Sequence, residues 1–129
     1  MEKEGISSFR DLKVWQTAMA LAEEAYGITS AFPGKETYGL SQQIQRAAVS
    51  VPSNIAEGHA RDSSKEYLHH LSIATGSLAE LETQLELAAR LRYLQQSRLK
   101  VILQNAAVAG KMLRALQRAM KNKLRSAVR

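Results

Sequence analysis

Three sets of residues have types and spacings that bear on chemistry. Glu66 and His69 form an E-x-x-H pair, which on a helix puts a carboxylate and an imidazole on one face, the spacing used by carboxylate-bridged di-iron bundles. Such centres need a second copy of the pair and further inward glutamates, and the sequence contains neither. His69 and His70 are neighbours and diverge by about 100° on a helix, so they do not chelate together and read as surface or interface histidines. Ser77, beside Gly76, lacks an oriented base among the three histidines, and no glycine-rich phosphate loop is present. The absence of cysteine removes thiol nucleophiles, zinc-thiolate sites and disulfides together. These patterns point away from an enzyme, a metal site or a cofactor.

The second set is cationic. All 12 acidic residues fall between Glu2 and Glu86, a stretch of net charge −5, whereas Leu87 to Arg129 carries 11 cations and no acid. Segregation of that kind suits a polyanionic partner. At about 100° per residue, Lys100, Lys111, Arg114, Arg118, Lys121, Arg125 and Arg129 share an arc of roughly 80° on one helix, a ridge about 40 Å long. Several of these side chains can meet phosphates of a duplex or a structured RNA at once. Aromatic residues are scarce near the ridge, with Tyr93 at its start, so backbone and shape recognition is expected over stacking on single-stranded bases, and RNA over DNA. The same helix needs its apolar arc to close a core, which argues against membrane binding.

The third set, Gln43, Arg46, Ser50, Asn54 and Glu57, lies within about 80° on a second helix beside its apolar stripe. It reads as a polar layer or subunit interface. Arg46 is expected to pair with Glu57, Glu80 or Glu82, and Ser50 and Asn54 to satisfy backbone groups freed by Pro52.

The elements that position these residues follow from apolar spacings of three and four, the helical period. Four helices are expected, at about residues 9–31, 36–60, 63–92 and 97–125, with a basic C-terminal tail. The core stripes are Leu12, Trp15, Met19, Ala22 and Tyr26; Leu40, Ile44, Ala47, Val51 and Ile55; Tyr67, Leu71, Ala74, Leu78, Leu81, Leu85 and Ala88; and Leu99, Ile102, Ala106, Leu113 and Leu116, continued by Met120 and Leu124. Pro52 should bend the second helix without breaking it. Ser63 and Glu66 read as a capping box opening the third, and Gly76 as a place of close helix approach. Val14 and Ile73, outside the stripes, read with Trp15 as interface residues. The fold expected is all-α, an up-down-up-down antiparallel four-helix bundle in one domain. At 129 residues the chain can bury a core unaided. No apolar run is long enough to span a membrane, and the N-terminus lacks the apolar stretch of a signal peptide, so the expected location is cytoplasmic.

Three stretches, Phe9 to Trp15 (FRDLKVW), Tyr38 to Gly58 (YGLSQQIQRAAVSVPSNIAEG) and Gly76 to Leu85 (GSLAELETQL), give the chain a family resemblance. It resembles the bacterial 23S rRNA intervening-sequence proteins, to which the accessory variability (Avd) proteins of diversity-generating retroelements are related. The resemblance spans about residues 9 to 94. It implies a four-helix bundle assembled as a homopentamer and without enzymatic activity. For the retroelement branch it implies binding to a reverse transcriptase and its template RNA. Arg92, before Tyr93, departs from the glycine expected there.

Overall fold

A computed structural model describes residues 8–128. These residues form four helices, α1 (Lys13–Thr29), α2 (Leu40–His59), α3 (Ser64–Arg90) and α4 (Gln96–Val128), with 3-10 turns at Phe9–Asp11 and Gly34–Glu36. No strand occurs among the described residues. Helices pack as sequence neighbours, α1 on α2, α2 on α3 and α3 on α4, and α4 returns to α1. Cross-helix bonds fix the antiparallel sense. Ser50 meets Ser77 and Asn54 meets His70 across α2 and α3, and Asn105 donates to Glu24 across α4 and α1. The architecture is the up-down-up-down bundle that the helical periodicity implies.

The core runs through all four helices. The α2 stripe from Leu40 to Ile55 is buried at every expected position, as is the α3 stripe from Leu71 to Ala88. Tyr67 is partly buried against them. On α4, Leu99, Ile102, Ala106, Ala109 and Leu113 are buried, whereas Leu116 and Met120 are only partly so. Beyond Leu113 the helix therefore has a core on fewer sides, but it stays helical to Val128 rather than becoming a loose tail.

The first helix departs from its expected stripe. Of Leu12, Trp15, Met19, Ala22 and Tyr26, only Ala22 is buried; Met19 is 43% and Tyr26 47% exposed. The core is instead supplied by Val14, Ala18, Leu21, Ala25 and Ile28, so Val14 is a core residue and not an interface one. Two apolar arcs coexist on α1. Periodicity selects a helix, but not which of two stripes faces inward, and here small alanines let α1 sit close to its neighbours.

Helix ends follow local chemistry. The Ser8 hydroxyl accepts from Arg10 N and its backbone N–H donates to Asp11, a capping box that folds the Phe9–Asp11 turn before α1 begins. Phe9 then stacks edge-on against Trp15 at 5.3 Å. At the head of α3, Ser63 Oγ accepts from Glu66 N at 3.0 Å. The expected start of the second helix at residue 36 is replaced by a 3-10 turn, and α2 opens at Leu40, whose N–H donates to Glu36 Oε1 at 3.1 Å. Helix α2 is continuous through Pro52.

The α3 to α4 loop accommodates the missing glycine. Arg92 adopts φ 67°, in the left-handed region. Its N–H donates to Ala89 O at 3.0 Å, and Tyr93 N–H donates to Ala88 O at 2.9 Å. This pair of bonds is the Schellman motif, in which glycine is usual because a Cβ is strained there. Tyr93 then reaches Glu36 Oε2 at 2.9 Å and packs against Phe32 at 5.4 Å, tying the loop to the start of α2. Both Leu40 N–H and the Tyr93 hydroxyl donate to Glu36 and hold its carboxyl below the ordinary glutamate range. The shared bond pushes the Tyr93 phenol up.

Candidate nucleic-acid interface

Helix α4 is the longest element, 33 residues without proline, or about 50 Å at 1.5 Å per residue. Its one glycine, Gly110, is buried; a Cβ there would stand 3.3 Å from Arg114 Nη1 and 3.4 Å from Leu78 on α3. Glycine thus permits α3 to approach and Arg114 to lie along its own helix.

Lys100, Lys111, Arg114, Arg118, Lys121 and Arg125 are all exposed along α4, and Arg129 lies outside the described residues. Among the described residues none of the six forms an ion pair. Arg125 donates to Asn122 on the same helix at 3.0 Å. Arg114 comes nearest to an acid. The field of Arg114 lowers the pKa of Glu82, opposing partial burial and Glu86, whose combined effect pushes the Glu82 carboxyl up. The ridge borders the α3 side of α4, where Gln117, on that flank of the helix, accepts from Thr75 at 3.3 Å. Cations held by an ordered helix and free of carboxylate partners can exchange counterions for phosphates without breaking an internal bond.

The polar set on α2 divides. Gln43 and Arg46 are exposed, and no ion pair joins Arg46 to Glu57, Glu80 or Glu82 among the described residues; it projects into solvent instead of into the bundle. Ser50 and Asn54 form a continuous network with α3. Asn54 Nδ2 donates to Ser50 O and Oγ at 2.9 and 3.1 Å, Ser50 and Ser77 hydroxyls meet at 2.8 Å, and Asn54 Oδ1 meets His70 Nδ1 at 3.0 Å. Because the Asn54 amide nitrogen is already donating, Oδ1 is the acceptor and the His70 Nδ1 carries the proton. The Asn54 amide binds the Ser50 carbonyl, not that of Ala48 which Pro52 leaves without its helical donor. Glu57 turns outward to Arg61 at 2.8 Å, with His70 Nε2 at 3.9 Å. The network is a register lock between two helices, and Ser77 and His70, its α3 members, were not assigned to it from sequence.

Gly58 shows why α2 and α3 meet so closely there. A Cβ on Gly58 would stand 2.9 Å from both His70 Cβ and Tyr67 Cδ1. Gly76, by contrast, has nothing within 4 Å and is exposed, so it is not the site of close approach within the bundle. Glu66 leans toward Arg61 at 4.0 Å, and His69 is exposed with its ring 5.5 Å from that of His70. Among the described residues no group of three or more His, Asp or Glu is placed to hold a metal ion. No helix among them is long and apolar enough to cross a membrane.

The residues displaced from the α1 core stripe reappear as a groove. Trp15, Met19 and Tyr26 from α1 and Val49, Pro52 and Ala56 from α2 line an open apolar cleft of about 450 Å³. Its one charged neighbour is Glu23.

Among solved structures, a protein of unknown function from the S23 ribosomal protein family of Bacteroides thetaiotaomicron VPI-5482 superposes with a TM-score of 0.76 at 23% identity, over 81% of this chain and 95% of that one. At that identity the likeness establishes the fold. No curated protein matches the chain. The family model described as 23S rRNA-intervening sequence protein matches residues 10–115, a span that takes in the second and third sequence stretches and all of the first but Phe9, and ends within α4. The chain therefore belongs to the 23S rRNA-intervening sequence protein family.

Proposed function

We propose that this protein is a non-catalytic, oligomeric accessory protein that binds nucleic acid, RNA in preference to DNA, through the cationic ridge of α4. The observation that carries the reading is the exposure of six ridge cations on one ordered helix with no ion pair among the described residues. The family description names an intervening sequence of 23S rRNA and no reaction. Neither the hydroxyl-imidazole network nor the E-x-x-H pair supplies an exposed nucleophile with an oriented base. By the resemblance to the retroelement branch, the assembly is a homopentamer and its protein partner a reverse transcriptase acting on a bound RNA template.

The test is equilibrium binding of nuclease-treated protein to a structured RNA and to duplex DNA across a salt series. Counterion release makes log K fall linearly with log salt, with a slope of about −0.9 per phosphate neutralised. Charge reversal at Arg114, Arg118 and Lys121 should abolish binding while leaving assembly intact. Retained affinity in that variant removes the ridge as the site. A second reading, a structural homo-oligomer with no nucleic-acid role, is favoured by the uncovered apolar groove between α1 and α2; absence of RNA binding at low salt would select it.

A further inference from the structure

Past Glu86 the chain carries no acid, and where α3 turns into α4 this leaves a cationic cleft at the end of the bundle. Arg90, in the last turn of α3, and Arg92, in the loop, line an open cavity of about 640 Å³ together with Tyr93, Gln95 and Gln96. Both arginines are exposed, and neither forms an ion pair among the described residues. Glu36, the acid that reaches this loop, is taken up by the Tyr93 hydroxyl and Leu40 N–H. Glu86 lies one turn before Arg90 and is not bonded to it.

We infer that this cleft binds the phosphomonoester group of a nucleotide, free or at the end of a nucleic-acid strand, with Arg90 and Arg92 as its ligands. The inference deepens the nucleic-acid reading, on which its choice of ligand rests. Two guanidiniums present paired N–H donors in the geometry that phosphate oxygens accept. A monoester carries a charge of about −1.5 to −2 at neutral pH, more than the single charge of an internal diester, so a pair of arginines favours a strand's end over its middle. The cavity is larger than a bare phosphate and falls in the range of about 300–1,000 Å³ usual for small-molecule sites. Gln95 and Gln96, both exposed, offer amides to the sugar hydroxyls and the base edge. Stacking plays no part, because the Tyr93 ring packs on Phe32 and its hydroxyl is held by Glu36.

Two further features agree with this assignment. The first bonds into α4 are donated by Arg98 and Leu99 to Gln95 O, and no acid occupies that turn, so the free N–H groups of Gln96 and Ser97 add positive potential beside the arginines. Along the ridge, no cation stands between Lys100 and Lys111, a gap of about 16 Å, so the cleft is separate from the cations of Lys111 to Arg125. Arg92 also keeps its guanidinium there in a left-handed backbone conformation where glycine is usual. Arg92→Gly therefore removes a phosphate ligand and a strain together, which separates a binding role from a structural one.

Isothermal titration calorimetry at about 0.1 M salt, where charges beyond ~10 Å are screened, tests this with one short single-stranded RNA bearing a phosphate at its 5′ end, at its 3′ end or at neither. A phosphorylated end should tighten binding about tenfold or more, as charge-assisted bonds to two guanidiniums imply. Arg92→Gly and Arg90→Gln should each abolish that difference, and Arg92→Gly should do so while melting no lower than the parent. Uridine 5′-monophosphate, with uridine as its control, identifies the source: affinity equal to that of the phosphorylated RNA makes a free nucleotide the occupant, and weaker affinity makes it a strand end. Charge reversal at Arg114, Arg118 and Lys121 should leave the effect of the terminal phosphate unchanged, since Arg114 stands about 27 Å along α4 from Gln96. Equal affinity of phosphorylated and unphosphorylated RNA overturns the inference, as does a difference that survives both arginine variants. Absence of binding by the unphosphorylated RNA alone counts against the ridge and not against the cleft.

Discussion

Replacing Arg92 by glycine should stabilise the protein. Arg92 holds φ 67° at the end of α3, a left-handed conformation that costs a residue with a Cβ about 1–2 kcal/mol. Glycine removes that strain but enlarges the conformational freedom of the unfolded chain, which returns about 0.4–1 kcal/mol. The balance is a gain of about 0.5–1 kcal/mol, or a rise in melting temperature of about 2–5 °C for a domain of this size. Both Schellman bonds are made by backbone groups, from Arg92 N–H to Ala89 and from Tyr93 N–H to Ala88, so the substitution leaves them intact. The assay is urea and thermal unfolding by circular dichroism, with parent and variant at one protein concentration because assembly shifts apparent stability. Arg92→Ala serves as the control: it keeps the strain and should gain nothing. Unchanged or lower stability in Arg92→Gly, or an equal gain in the alanine variant, would refute the strain argument.

The two exposed-and-buried glycines of α2 and α3 should respond oppositely to alanine. Gly58→Ala places a methyl 2.9 Å from Tyr67 and His70 and should cost about 1–3 kcal/mol by overpacking, whereas Gly76→Ala meets nothing within 4 Å and should stabilise by up to about 1 kcal/mol through helix propensity; denaturant midpoints decide both. Glu36 governs a pH response. Its carboxyl titrates below the ordinary glutamate value of 4.5 when folded, so the folded state binds fewer protons, and the stability Glu36 confers is present above that value and lost as pH falls through the lowered one. Glu36→Gln should therefore flatten the acid limb of a stability-pH profile below about 4.5. Glu82, pushed the other way by burial and Glu86, is relieved by protonation above that range, so the two contributions separate by pH.

Most of the bundle was legible because its signals are local. The α2 and α3 stripes repeat at spacings of three and four, and every position is buried except Tyr67, which is partly so; Ser63 marks the head of α3. The ridge cations were equally readable, since a helix without proline or acid after Glu86 fixes their shared arc. The Ser50 and Asn54 members of the polar set showed their periodicity, but their partners Ser77 and His70 sit 27 and 16 residues away, and no local signal links such positions. Arg46 illustrates the converse: a charge beside a core stripe invited a carboxylate partner, but with the stripe buried as expected Arg46 still faces solvent.

By itself the sequence determined that the chain is helical, where its four helices lie to within a few residues, and that most cations of the last share one face, because periodicity and composition act over a turn or two of backbone. Tertiary structure alone decided which of two apolar arcs on α1 became core. Val14, Ala18, Leu21 and Ala25 win the interior because their small average size lets α1 lie close against α2 and α4, burying more surface at full packing density. Trp15, Met19 and Tyr26 are left lining an open groove, a choice made by competition among four helices for one interior and invisible to any one of them.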